Sequence, residues 1–187
     1  MKTGRIFLAA MVGFAMTLPA SMASAQLNSG AQTIALNANL AESLTLTLSA
    51  NTVNFNLSAG SATNAGSAGI TATTKWTLAA GRNSVGVYAY FGSAAAALTD
   101  GTGDDIPSSA FFIADNAGAS TPLTNTVAFG AANAGLKLAT VGITGANRSG
   151  THTDAMTFNI NLTGGTLPQL PANTYTGTLN IQAQATP

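Results

Sequence analysis

Residues 33–48 of this chain read TIALNANLAESLTLTL, and apolar side chains alternate with small or polar ones along the whole run. Successive side chains of a β-strand point to opposite faces, so this period of two predicts an extended strand with one apolar face. The even positions carry the apolar side chains: Ile34, Leu36, Ala38, Leu40, Leu44, Leu46 and Leu48. Glu42 is the one interruption in phase, and neither Gly nor Pro turns the chain.

The length of this run is unusual for one strand. Roughly 16 residues at about 3.3 Å each would span about 53 Å, whereas an ordinary strand spans about 17–20 Å. Two interpretations follow. Either the run bends near residues 41–43 and continues in a second sheet of the same domain, or its first half projects beyond the domain. A projecting strand would expose Ile34, Leu36 and Leu40, an aggregation hazard that donation of the strand to a neighbouring molecule would remove.

Shorter alternating segments continue to the C terminus, separated by clusters of Gly, Asn, Asp and Pro. Many short strands without intervening helices indicate an all-β sandwich or barrel. The predicted strands are 53–57, 69–78, 85–91, 110–114, 126–129, 137–143, 155–162 and 175–183.

The first 25 residues have the three parts of a cleaved export signal. Lys2 and Arg5 precede an apolar stretch over residues 6–18, and Ala23-Ser24-Ala25 ends in a small-residue cleavage site. The stretch is shorter than the roughly 20 apolar residues that span a bilayer. We therefore expect cleavage after Ala25, passage through the periplasm of a bacterial-type cell, no membrane insertion, and a secreted or cell-surface product of one domain.

Composition excludes several partners. Charged residues make up 6% of the chain, against about 25% in ordinary globular proteins. Without the leader, four basic side chains oppose six acidic ones, a net charge of −2. With no basic patch, neither nucleic acid nor an anionic membrane surface is an expected partner. The chain has no Cys, so stability must come from the core and from strand pairing rather than from disulfides.

The search for catalytic and metal-binding residues gives no site. His152 is the only histidine, and no nucleophile motif lies near it, so a surface-loop position is the favoured interpretation. One His without Cys cannot supply a usual zinc site. Asp100, Asp104 and Asp105 could offer oxygens to Ca²⁺ but fail the EF-hand pattern, and a plain acidic turn is favoured. We predict no catalytic residue, metal or cofactor, and therefore no enzyme.

Aromatic side chains leave a binding function open. Trp76, Tyr88, Tyr90 and Phe91 could form a platform for a sugar ring, although aromatic residues in strands are usually core residues or cross-strand pairs. Tyr175, at the head of the predicted last strand, is interpreted as a structural anchor. A secreted carbohydrate-binding adhesin or lectin-like module is therefore an alternative function.

Three segments resemble spore coat protein U-like domains and the pilins of chaperone-usher pathways. They are LSANTVNF at 48–55, GITATT at 69–74 and LPANTYTGTLNI at 170–181. The resemblance covers the two ends of the chain and leaves residues 91–153 unmatched. The chain departs from the family in lacking the cysteine pair expected near Leu48 and near Thr73 or Thr74.

The resemblance implies an all-β, immunoglobulin-like (pilin-type) β-sandwich that lacks its last strand and accepts a neighbour's N-terminal extension in the resulting groove. With the export signal at 1–25, it implies a candidate donor strand at 26–41 and the sandwich at 42–187. The expected function is a structural subunit of an extracellular fimbria, pilus or surface coat that assembles by donor-strand exchange. Expected partners are copies of itself or related subunits, a periplasmic chaperone and an outer-membrane usher. The residues expected to be donated are Ile34, Leu36, Ala38 and Leu40.

Overall fold

The computed structural model describes residues 29–187. The predicted signal peptide and the first residues of the predicted extension lie outside this range. The described chain is all-β, with two short 3-10 turns and no α-helix. Within this range, no helix is long and apolar enough to cross a bilayer. The strands are β1 (Ser43–Leu48), β2 (Asn64–Ala65), β3 (Ile70–Thr77), β4 (Ser84–Tyr90), β5 (Leu98–Thr99), β6 (Asp105–Ile106), β7 (Phe111–Asp115), β8 (Thr121–Pro122), β9 (Gly135–Gly142), β10 (Ser149–Ile160) and β11 (Asn180–Thr186). The 3-10 turns are Ser108–Ala110 and Leu167–Gln169.

The strands form two main antiparallel sheets. The first has the order β1-β3-β10-β7-β8, with β2 also paired to β10, and the second has the order β11-β4-β9. A small third sheet pairs β5 with β6. Antiparallel sheets packed face to face bury alternate side chains of each strand, and β3 shows this pattern, with its even positions buried and its odd positions more exposed. The architecture is that of a β-sandwich.

The core lies between the two sheets and has two parts. The larger part holds aromatic side chains, and the Phe91 and Phe111 rings meet edge to face with centroids 5.2 Å apart. The smaller part contains Trp76, Leu78, Val85 and Ile143. These buried apolar residues hold the sheets together.

Each main sheet ends in a strand that pairs on one side only. Within the described residues, β1 pairs with β3 alone and β11 pairs with β4 alone. Leu44 of β1 and Ala185 of β11 both pack against the smaller core cluster. The two edge strands therefore come together at one end of the sandwich.

The predicted strand over 33–48 is only half present. Residues 29–42 lie outside every strand and helix, and β1 begins at Ser43. The first half therefore does not continue as a strand into a second sheet of the same domain. The second half pairs with β3 along its whole length, so its backbone N–H and C=O groups have hydrogen-bond partners. The alternation of side chains does not show whether such partners exist.

Two further predicted strands are wrong. Residues 53–57 form only a single bridge, from Phe55 to Gly66, and residues 126–129 form no strand. In both places apolar side chains pack on the sandwich while the backbone does not pair along a neighbouring strand. The last strand also begins later than predicted, at Asn180 rather than 175.

Candidate functional site

A groove with an apolar floor and walls of mixed polar and apolar residues opens between the end of β1 and the start of β11. Its volume is about 810 Å³. One wall is the segment 48–57 and the other is 172–181. The floor consists of core side chains of the first sheet, Ile70, Phe111, Met156, Phe158 and Ile160, and of Phe91, which directly follows β4.

The first wall is fixed by aromatic packing and by a close backbone approach. The Phe55 ring meets the Phe111 ring edge to face, with centroids 5.7 Å apart. A methyl group on Gly66 would lie 2.7 Å from Val53 Cγ1. Because only a residue without a side chain leaves this space, Gly66 lets the 53–57 segment pack closely on the sandwich.

The second wall is tied to the β5–β6 region. Thr176 and Thr99 exchange two backbone hydrogen bonds of 2.9 Å each. Gly177 lies against the carbonyl oxygen of Ala97, where a Cβ would collide with it. The Tyr175 hydroxyl donates a 2.9 Å hydrogen bond to the Pro171 carbonyl oxygen, which fits the anchoring role expected from the sequence.

The groove is lined by apolar, Asn, Thr and Tyr side chains together with Gly177. Among the described residues that line it there is no Asp, Glu, Lys, Arg or His, so it lacks the usual side chains for acid–base catalysis. Leu179 and Ile181 lie half-buried beside it, and β11 has no strand partner on the edge away from β4 among the described residues. An extended apolar segment would find both a pocket and a row of backbone partners here.

The four residues predicted to be donated are all solvent-exposed. The exposed fractions are 84% for Ile34, 90% for Leu36 and 84% for Leu40, and Ala38 is exposed as well. Large apolar side chains rarely stay this exposed in a stable soluble protein without a partner. The structure therefore leaves the apolar face of this segment uncovered.

His152 does not lie in a surface loop, so that prediction is wrong. It lies within β10, with its Nε2 3.0 Å from Oδ1 of Asp154, and the Asp154 side chain is fully buried. The sequence from Ser149 to Asp154 is polar enough to suggest a loop. Its backbone nevertheless pairs with β3 from Ser149 onward, and that pairing decides its conformation.

The acidic turn at 100–105 has internal hydrogen-bond partners. Asp100 accepts hydrogen bonds from the side chain and backbone of Thr102, and these hold the pKa of its carboxyl down at about 2. Asn173 Nδ2 donates to the same carboxylate at 3.0 Å, which links this turn to the second wall of the groove. Among the described residues, no group of three or more His, Asp or Glu is placed to hold a metal ion.

The aromatic residues considered as a platform do not form one surface. Trp76 and Phe91 are core residues with exposed fractions of 5% and 2%. Tyr88 and Tyr90 pack against Phe129, with ring centroids 5.8 Å apart in each pair. Sequence reasoning missed Phe129, because it interpreted residues 126–129 as a strand.

No family model, no curated protein and no solved structure matches this chain. The function of the groove must therefore be argued from its own geometry. Three properties bear on it: an apolar floor, an edge strand beside it, and an uncovered alternating segment in the same chain.

Proposed function

We propose that this protein is a structural subunit of an extracellular fimbria, pilus or surface coat that assembles by donor-strand exchange. Residues Ile34, Leu36, Ala38 and Leu40 of one copy occupy the groove of another copy or of a related subunit. The observation that carries the proposal is that one chain has both an exposed segment suited to donation and an open groove suited to receive such a segment. An alternating apolar segment is exposed, and a groove with an apolar floor lies open beside an edge strand.

The strand order supports a pilin-type, immunoglobulin-like sandwich that lacks one strand. Such folds place their first, second, fifth and fourth strands in one sheet, and their third, sixth and seventh strands in the other. The major strands of the first sheet, β1-β3-β10-β7, fit the former pattern, and β4 and β11 fit the third and sixth strands. A seventh strand would lie beside β11, which is where the groove opens.

The donated segment has the right chemistry for that position. Strand addition uses backbone hydrogen bonds along the edge for affinity and alternate side chains in pockets for specificity. If the four apolar residues bury about 350 Å² of apolar surface, the gross gain is about 9 kcal/mol at roughly 25 cal/mol per Å². Ordering the segment offsets part of this gain, and the new hydrogen bonds add to it.

The connection between the segment and the sandwich favours a second molecule as acceptor. Glu42 immediately precedes β1, and its carboxylate accepts a 2.8 Å hydrogen bond from the Ala79 N–H. The same carboxylate forms an ion pair with Arg82, whose Nε lies 3.2 Å from Glu42 Oε1. From this point β1 runs towards Leu48, which lines the groove. To fill its own groove, the chain would have to reverse direction at 41–43, where it has neither Gly nor Pro.

The periodicity of the segment allows a matched test. The triple variant Ile34→Asp, Leu36→Asp, Leu40→Asp places three charges on the proposed donor face. The control, Ala35→Asp, Asn37→Asp, Asn39→Asp, adds the same charge to the opposite face. We expect negative-stain images and sedimentation to show fibres for the parent and the control but only particles for the first variant. Circular dichroism should show that both variants are folded.

Fibres that survive in the first variant, or that disappear equally in both, would rule out donor-strand exchange through these residues. An assembled product also needs protection of the groove before assembly, because open apolar edges aggregate. A periplasmic chaperone and an outer-membrane usher are the partners that we propose for this step.

A secreted carbohydrate-binding module is the second candidate. It is favoured by the half-buried cluster of Tyr88, Tyr90 and Phe129 on the sheet and by Gln182, whose Oε1 accepts a 2.8 Å hydrogen bond from the Tyr90 hydroxyl. Aromatic rings beside amide groups are suited to sugars. Deletion of residues 26–41 separates the two functions, because it should abolish polymers of a fimbrial subunit and leave the oligomeric state of a binding module unchanged.

A further inference from the structure

The second wall of the groove has little backbone pairing. Residues 172–178 belong to no strand, and β11 begins only at Asn180. Within the described chain, the only backbone–backbone hydrogen bonds of this wall are the two that Thr176 exchanges with Thr99. Thr99 belongs to β5, which forms a hairpin with β6. The position of the wall therefore depends on that hairpin.

The β5–β6 hairpin is itself anchored. Leu98 of β5 pairs with Ile106 of β6, and the Ile106 side chain is fully buried in the core. In the turn between the two strands, the Asp100 N–H donates to the Asp104 carbonyl oxygen at 3.3 Å. The Asp100 carboxylate accepts a 2.8 Å hydrogen bond from the Thr102 N–H. The hairpin is thus held both by the core and by hydrogen bonds within its turn.

Asn173 joins the wall to this hairpin through both ends of its side-chain amide. Its Nδ2 donates to Asp100 Oδ2 at 3.0 Å, and its Oδ1 accepts a 2.8 Å hydrogen bond from the Thr174 N–H. A further contact lies at Gly177, where an added Cβ would collide with the Ala97 carbonyl oxygen just before β5. A side-chain bond, a backbone bridge and a close backbone approach therefore connect the wall to the hairpin region.

The hairpin also sets the direction in which the wall presents its backbone. In an antiparallel pair, neighbouring residues direct their N–H and C=O groups alternately towards the partner and away from it. Thr176 directs both groups at Thr99, so those of Tyr175 and Gly177 point away from the hairpin. These groups have no backbone partner among the described residues. They are available to pair with an inserted strand.

We propose that the β5–β6 hairpin is a bracket that holds the second wall in place for the donated segment, with Asp100 and Asn173 as positioning residues. The inference rests on the proposed function, because it concerns the same groove. Asn173 lines the groove and Asp100 does not, so Asp100 acts through Asn173. A wall that is ordered before binding loses less conformational freedom when the segment enters, and this strengthens binding.

Peptide binding to a full-length acceptor tests the bracket. The acceptor is the exported chain with the triple Asp substitution of the donor face described above, so it has no donor of its own. Its affinity for a fluorescent peptide of residues 30–42 is measured by anisotropy. Asn173→Asp places two carboxylates opposite each other, and Asp100→Asn replaces the acceptor of several hydrogen bonds by an amide. Each single change should weaken peptide binding about two- to tenfold.

The double variant Asp100→Asn, Asn173→Asp is decisive, because one carboxylate again faces one amide with their positions exchanged. It should recover most of the lost affinity. Asn125→Asp adds the same charge as Asn173→Asp at an exposed position outside the groove, and it should bind the peptide like the parent acceptor. The urea midpoints of these two single variants should stay close to that of the parent, because both side chains are exposed.

The outcomes separate the bracket from the proposed function. Equal peptide affinities of the parent acceptor and both single variants at the bracket would overturn the bracket and leave donor-strand exchange in place. A double variant that shows the two single losses combined would do the same. An acceptor that binds no peptide at all would overturn the proposed function, and the bracket with it.

Discussion

Replacement of Leu36 by Ala should weaken assembly without affecting the fold of the subunit. The Leu36 side chain is 90% exposed, so its truncation removes no packing within the subunit. Surface substitutions of this kind change the free energy of unfolding by about 0.5 kcal/mol or less. The same side chain is one of three large apolar groups proposed to enter the groove of another molecule.

The size of the assembly effect follows from the surface that Leu36 would bury. Full burial of a Leu side chain is worth about 1.5–3 kcal/mol, and Ala retains only part of that gain. A loss of about 2 kcal/mol corresponds to roughly 30-fold weaker binding, because each 1.4 kcal/mol changes the dissociation constant about tenfold. The predicted change is large enough to measure with a simple binding assay.

A fluorescent peptide covering residues 30–42 provides that assay. Its anisotropy is followed during titration with the chain that lacks residues 26–41, which leaves the groove open. The Leu36→Ala peptide should bind roughly 30-fold more weakly than the parent peptide. An Asn37→Ala peptide, changed on the opposite face, should bind like the parent.

Two outcomes would refute this reasoning. Equal affinities of the parent and Leu36→Ala peptides would show that Leu36 does not enter the groove. A clear loss of urea stability in the full-length Leu36→Ala protein would show that Leu36 packs within its own subunit.

Three further predictions concern the described part of the chain. Burial and the Asp154 charge raise the pKa of the Asp115 carboxyl. The protonated carboxyl therefore stabilises the folded state, and this stabilisation is lost as the pH rises through the folded pKa. Asp115→Asn should raise the urea midpoint at pH 7 and change it less at low pH. Hydrogen bonds from Thr102 lower the pKa of the Asp100 carboxyl to about 2. The ionised carboxylate therefore stabilises the folded state above the unfolded pKa, and this stabilisation is lost as the pH falls towards 2. In an Asp100→Asn variant, the free energy of unfolding measured in urea should decrease less as the pH falls over this range. Gly177→Ala should destabilise the second groove wall by about 1–3 kcal/mol in urea unfolding, whereas Gly92→Ala, where nothing lies within 4 Å of the added methyl, should change stability little.

Alternation predicted the main core strands well because it reports which side chains are buried. The predicted strand 69–78 contains β3, and 85–91 overlaps all but the first residue of β4. It failed at 126–129, where Phe129 packs on the rings of Tyr88 and Tyr90 from a loop. Side-chain periodicity does not show whether the backbone groups of a segment have strand partners, so a loop that packs on a sheet has the same pattern as a strand.

The same limit explains the run 33–48. Its two halves have the same period, yet only the half after Glu42 pairs within the described chain. Glu42, the interruption in phase, is the residue whose carboxylate contacts Ala79 and Arg82 at the start of β1. The interruption was visible in the sequence, but its contacts were not.

The strand position of His152 and Asp154 was not predicted, for a different reason. Met156, Phe158 and Ile160 lie on the buried face of β10, and Asp154 and His152 continue the same even phase towards the start of the strand. A polar residue at a core position breaks the apolar pattern by which strands are recognised. Extending the period of two backwards from Ile160 would have placed both residues on the inner face.

If the protein assembles as proposed, the groove allows folding and assembly to be separate steps. Its floor is already well packed, since Phe111 and Phe158 are only 5% and 6% exposed. The incompletely covered apolar side chains are in the walls, including Phe55 and Ile181. A donated segment would therefore mainly cover the walls of a sandwich whose core exists without it. For this reason substitutions in the donor segment should act on association, while substitutions in the floor should act on both folding and association.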